Sequence, residues 1–112
     1  MKALIFISLC LITFCVSCNE IDFSDGTPKC MKDTIREWKK YACKDASVDE
    51  YLFQNSTVFL LNASKCCCDV ASAVVDTECI QLGMLGGYEG NATINGEDFF
   101  ANATYVRTIW DR

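Results

Sequence analysis

Apolar positions along this chain recur mostly at helical spacing, with one exception at the start. Ala3 to Val16 is an almost unbroken apolar run behind the basic pair Met1-Lys2, and it ends in small residues at Ser17 and Cys18. That pattern predicts a secretory signal peptide over residues 1–18. The run is shorter than the ~20 residues a bilayer-crossing helix needs, so no stable membrane span is expected. Cleavage after Ser17 or after Cys18 meets the preference for small residues equally well. A lipoprotein box would also put a cysteine at the cut, but Cys15 stands where its usual Leu belongs.

Beyond a polar, acidic lead-in from Asn19, Thr27 reads as a helix N-cap, with Pro28 at the first helical position. Met31, Ile35, Trp38 and Ala42 then fall on one stripe, which predicts an amphipathic helix to about Lys44. Ser47-Val48-Asp49-Glu50 has the form of a capping box and would open a second helical segment, Tyr51 to Leu61. Gln54 to Thr57 blurs its period, and Val58-Phe59-Leu60-Leu61 suits a short strand equally well. The spacing of Phe59, Ala63, Cys66, Cys67, Val70 and Val74 favours a helix through three adjacent cysteines, completed from Asp76 to Leu82 with Gly83 as its C-cap. After a glycine loop at Gly86 to Gly90, Phe99, Ala103, Val106 and Trp110 predict a C-terminal helix. Glu97 and Asp98 would lie in its first turn, and Arg107 and Arg112 near its end. A β-hairpin turning at Asn95-Gly96 is the alternative for this tail.

The expected fold is therefore mainly α: a small disulfide-stapled domain of three to four helices. Residues 19–85 would form its cysteine-rich helical region, and residues 86–112 a cysteine-free loop and helix packed on the same domain. About 95 residues remain after the leader, enough for one small domain. Cys30, Cys43, Cys66, Cys67, Cys68 and Cys79 in an exported chain of that size read as a disulfide framework. Zinc fits poorly, because the chain has no His and its one Cys-x-x-Cys spacing, Cys15 to Cys18, falls in the expected leader. On one helix Cys30 and Cys43 would lie about 20 Å apart and must bond elsewhere. The preferred arrangement joins Cys30 to the triple cysteine and Cys43 to Cys79, and the pairing inverts if residues 47–61 form a long loop. An unassigned member of the triple could link two chains into a disulfide-bonded homodimer. The adjacent triple and the cysteine-free tail do not fit saposin-like, insulin-like, evasin or plant lipid-transfer patterns.

Asn55, Asn62, Asn91 and Asn102 each begin an Asn-x-Ser/Thr sequon, consistent with a secreted glycoprotein whose acceptor residues face solvent. Without Lys2, nine basic and fifteen acidic residues remain, and six of the basic ones lie between Lys29 and Lys44. Lys29, Lys32, Arg36, Lys39 and Lys40 thus form a candidate patch for an acidic partner, or a helix face neutralised by its own acidic neighbours. So acidic an exported chain is not expected to bind nucleic acid. No His is present to act as general base and no phosphate loop or nucleophile elbow appears. The carboxylate pairs Asp49 with Glu50 and Asp76 with Glu78 read as helix-end or surface charges. No catalytic, cofactor or metal residue is assigned. The expectation is a non-enzymatic extracellular protein that binds a protein or glycan. The alternatives are a carrier of a small apolar ligand, suggested by Phe53, Phe59, Phe99, Phe100 and the two Trp, and a hydrolase with an unrecognised site.

Overall fold

A computed structural model describes residues 21–63 and 70–112. The leader, Cys18 and the triple Cys66, Cys67 and Cys68 lie outside the described residues, and with them the proposed interchain bond. The described chain is mainly β and corrects the expectation of a helical bundle. One helix, α1 (Lys29–Trp38), is followed by β1 (Ser47–Phe53), β2 (Ser56–Asn62), β3 (Ala71–Asp76) and β4 (Gln81–Gly86). A short excursion of β5 (Thr93–Ile94), β6 (Glu97–Asp98) and the single turn α2 (Phe99–Asn102) precedes β7 (Thr104–Asp111). The long strands make one antiparallel sheet in the order β4-β3-β2-β1-β7, and β5 and β6 pair separately.

The amphipathic stripe holds: Met31 and Ile35 are fully buried, with Trp38 and Ala42 packed beside them. Two boundaries move. Pro28 rather than Thr27 is the N-cap residue, and Thr27 instead donates its hydroxyl to the Ser24 carbonyl at 2.7 Å. Regular helix stops at Trp38, six residues before Lys44, and loose turns continue to Ala42.

Ser47 to Glu50 opens a strand, not a helix. Gln54 and Asn55, with φ of 52° and 64°, make a two-residue turn that returns β1 onto β2, with Phe53 opposite Ser56. The polar residues that blurred a helical period are this turn. Asn95 and Gly96, with φ of 49° and 84°, make the same turn between β5 and β6, so the hairpin alternative is the one realised. The C-terminal helix is absent: Thr104 to Asp111 is an edge strand beside β1.

Each face of the sheet has its own core. On one face Val48, Phe59, Leu61, Val75, Ile109 and Trp110 pack under Met31 and Ile35 of α1. On the other, Phe53, Val58, Leu60, Val74 and Leu85 pack under Ile94 and Phe99 of the excursion. β2 contributes alternately to both, so Val58 to Leu61 is buried throughout. A register shift between Val48 and Asp49 places Ile109 as an extra residue in β7, and both Ile109 and Trp110 join the helix-side core. Trp110 meets Trp38 there, with ring centroids 6.0 Å apart.

Cys30 bonds to Cys79 and fastens the start of α1 to the β3–β4 turn. This overturns the preferred pairing of Cys30 with the triple cysteine and Cys43 with Cys79, because the second segment is not a helix that would bring α1 and the cysteine region parallel. Cys43 is also disulfide-bonded. Gly83 is no C-cap. It lies in β4, where a Cβ would stand 2.7 Å from Cδ1 of buried Ile94.

Two stability tests follow from this packing. The Cys30–Cys79 bond spans 49 residues, so replacing both cysteines by Ser should cost about 4 kcal/mol on the chain-entropy account, read as a lower urea midpoint. Gly83→Ala should destabilise by about 1–3 kcal/mol through overpacking against Ile94. Ile94→Val deletes the clashing Cδ1, so the double variant should lose less than the two single losses combined; full additivity would place the strain elsewhere.

Candidate functional site

The face of β1 that looks away from α1 carries Ser47, Asp49, Tyr51 and Phe53 in alternation, polar at one end and aromatic at the other. Pairing sets their neighbours. Asn62 of β2 lies opposite Ser47, and on β7 Thr108 lies opposite Asp49 and Tyr105 opposite Tyr51.

At the polar end the Asp49 carboxylate is only 7% exposed. Its Oδ1 accepts the Thr108 hydroxyl at 2.7 Å, and its Oδ2 accepts Ser47 Oγ at 3.4 Å and Asn62 Nδ2 at 3.5 Å. Thr108 Oγ1 is also 2.8 Å from Tyr105 Oη. A Thr hydroxyl has one proton, and here it goes to Asp49, so the phenol is the donor in that second contact. The result is a relay from a surface phenol through a hydroxyl to a buried carboxylate. A cleft of about 330 Å³ opens beside it, lined by Ser47, Thr108, Lys44, Asp45, Asp111 and Arg112 among others.

At the aromatic end, α2 sends consecutive residues opposite ways: Phe99 is fully buried and Phe100 is 59% exposed. Asp98 caps this turn by accepting the Ala101 amide at 2.9 Å. Tyr51 sits between the exposed rings, with centroids 6.2 Å from Phe100 and 5.7 Å from Tyr105, and rests on Phe99 at 5.1 Å. Edge-to-face contacts of this kind hold ring orientations firmly. The exposed aromatic surface is therefore a shelf built on a rigid base.

The residues singled out from sequence have different fates. Lys29 and Arg36 both pair with Asp33, and Lys40 pairs with Glu37. The hydrogen bond from Lys29 holds the Asp33 carboxyl below its ordinary range, and that with Glu37 raises the Lys40 ammonium. Lys32 and Arg36 also lie over the Phe23 ring, at 5.9 and 5.3 Å from its centroid. The basic helix face is thus largely matched by its own neighbours. Glu50 pairs with Arg107 at 2.8 Å, and Arg107 also donates to the Asp25 carbonyl, tying the lead-in to the sheet. Asp76 Oδ1 accepts the amides of Glu78 and Ile80 and shapes the β3–β4 turn. Neither carboxylate pair is a helix end.

The sequon asparagines have work in the fold. Asn91 Nδ2 donates to the carbonyls of Met84 and Thr93, bracing the Gly87–Gly90 turn, and Asn102 Nδ2 donates to the Asp98 carbonyl. Asn62 reaches Asp49. Asn55 stands at the exposed tip of the β1–β2 turn. Among the described residues no helix is long and apolar enough to cross a membrane, and no three metal-ligating side chains gather.

Sequence reasoning missed Asp49 as a buried group and did not single out Tyr51 or Tyr105. Strict alternation of Ser47, Asp49, Tyr51 and Phe53 ahead of a two-residue turn was the available signal. Burial, then the Asp49 charge, then Tyr105 push the Tyr51 phenol above its ordinary value of 10.0. A folded-state pKa above the unfolded one gives stability that is complete below pH ~10 and is lost as pH rises through the raised value. Urea midpoints should therefore fall above pH ~10, and Tyr51→Phe should flatten that fall. An unchanged slope in the variant would assign it to other groups.

The chain is similar to one family model, described as a domain of unknown function (DUF6970), over residues 35–112. That span takes in the end of α1, every strand and both ends of the β1 face. No curated protein and no solved structure matches the chain. With the family model covering well over half of it, the chain belongs to the DUF6970 family.

Proposed function

We propose that this is an exported, disulfide-stapled domain that works by binding a partner outside the cell and carries out no chemistry of its own. The observation that carries this reading is the shelf of Tyr51, Phe100 and Tyr105. Phe100 and Tyr105, both more than half exposed, flank a partly buried Tyr51 that rests on buried Phe99, and so expose apolar area at little further cost in side-chain entropy. Aromatic residues of this kind, rigid and with a polar tip, dominate the energetics of recognition surfaces. The leader-like run Ala3 to Val16 and the disulfides support export. Of the four sequons, Asn55 is exposed at the tip of the β1–β2 turn, a position open to a glycan. The apolar-carrier alternative has less behind it, because Phe53, Phe59 and Phe99 are at most 2% exposed and spent on packing.

A photo-crosslinking residue at position 100, compared with one at Tyr88, tests the reading in the producing cells. Tyr88 is 89% exposed and lies outside the shelf. A discrete adduct should form from position 100 alone, and Tyr105→Ser should reduce its yield several-fold. Equal labelling from both positions would remove the shelf as a contact surface, and recovery of the protein inside the cell with its leader intact would remove export.

A further inference from the structure

The described clefts concentrate at one end of the molecule. Three of them are lined by residues between Thr108 and Arg112, at the end of β7 and just past it. The one with the most developed chemistry is the cleft of about 330 Å³ beside Asp49. We infer that this cleft binds a small zwitterion, an α-amino acid or a molecule with the same paired ammonium and carboxylate.

The polar wall decides the first half of the ligand. Ser47 and Thr108 both line the cleft, and both give their single hydroxyl proton to Asp49. A hydroxyl so committed offers a ligand only lone pairs. Behind these oxygens is a carboxylate 7% exposed, whose described partners are an amide and two hydroxyls, all neutral. Neutral donors do not cancel the charge of this carboxylate, and Ser47 and Thr108, which bond to it, stand between it and the cleft. An ammonium group, with three donors and a positive charge, complements this wall.

The other lining charges decide the second half. Lys44 and Arg112 border the same space, and the Arg112 guanidinium also donates to the Lys39 carbonyl, which steadies it. They supply charged donors for a carboxylate. Asp45 and Asp111 balance them, so the rim carries two charges of each sign. A dianion such as phosphate would meet the acidic residues unfavourably, and a plain cation would meet the basic ones. A ligand with both charges and no net charge satisfies every lining group. The volume lies at the small end of the ligand-pocket range, suited to a molecule of few heavy atoms. This cleft adjoins the aromatic shelf through the Tyr105–Thr108 hydrogen bond, but its ligand does not depend on the export reading.

The test uses the disulfide-intact chain and three probes of similar size: L-alanine, propionate and ethylammonium. Amide NMR shifts at Ser47, Asp49 and Thr108 report binding. L-alanine should shift them saturably, and each half-analogue should bind about tenfold or more weakly, the scale of one lost charged hydrogen bond. Asp49→Asn should remove the advantage of L-alanine over propionate. Lys44→Gln alters an exposed side chain, so it leaves the core intact and should remove the advantage over ethylammonium. Equal affinities for the three probes, no saturable shift with L-alanine, or an unchanged preference in the folded Lys44→Gln variant would each overturn the assignment.

Discussion

The rest of this structure depends on β2 being buried from both sides. Val58, Phe59, Leu60 and Leu61 are four consecutive large apolar residues, and a strand sends alternate ones to opposite faces. Neither face can be left to water, so the sheet needs a cover on each side. Helix α1 supplies one through Met31 and Ile35, and the β5–β6–α2 excursion supplies the other through Ile94 and Phe99. The Cys30–Cys79 bond acts on the first cover. It pins the start of α1 to the β3–β4 turn and so fixes which part of the sheet the helix shields.

That constraint makes Asp49 conspicuous. It lies on the excursion side of β1, on the same face as Phe53, and is almost fully enclosed. Removing a carboxylate from water costs several kcal/mol unless its lone pairs are used. Here Thr108, Ser47 and Asn62 use them, and these three side chains come from β7, β1 and β2. The charge can be satisfied only when those strands are in register, since a slip of one residue would send Thr108 or Asn62 to the opposite face. The polar network thus fixes β7 beside β1 on the excursion face, as buried Ile109 and Trp110 do on the α1 face.

What the sequence revealed, and what it concealed, follow from the same feature. The α1 stripe was legible because one face of that helix is wet, so its period survives. Val58 to Leu61 has no wet face, and its period of two is erased; the chance spacing of Phe59, Ala63, Val70 and Val74 then imitated a helix. Trp110 misled in another way. The extra residue at Ile109 shifts it onto the α1 side, and the apparent helical interval from Phe99 joins residues of two different cores. The turns were legible where glycine demanded them, at Asn95-Gly96, and hidden at Gln54-Asn55, where two residues other than glycine adopt positive φ. Of the candidate site, Ser47 reads from sequence as the start of a capping box closed by Glu50, and Asp49 as one of a surface carboxylate pair with Glu50, so both are assigned to the wrong element. Their partner Thr108 could not be found from local pattern, since it lies 59 residues from Asp49.

Strand order explains why the tail without cysteines is no appendage. β4 ends at one edge of the sheet and β7 forms the other, so the chain between Gly87 and Ala103 must cross the sheet's full width. Four strand spacings come to about 19 Å, and α1 already occupies one face. The crossing therefore runs over the opposite face, and the segment that makes it is the segment that covers it. Gly83 yields its side chain to let Ile94 settle on β4, and Phe99 then reaches Phe53 at 5.0 Å before β7 begins. Crossover and cover being one segment, the exposed ring of Phe100 stands beside the buried ring of Phe99, with centroids 5.1 Å apart. The shelf therefore borders the layer in which Phe99 packs with Val58 and Leu60, and the strand order that places the crossover also places the shelf.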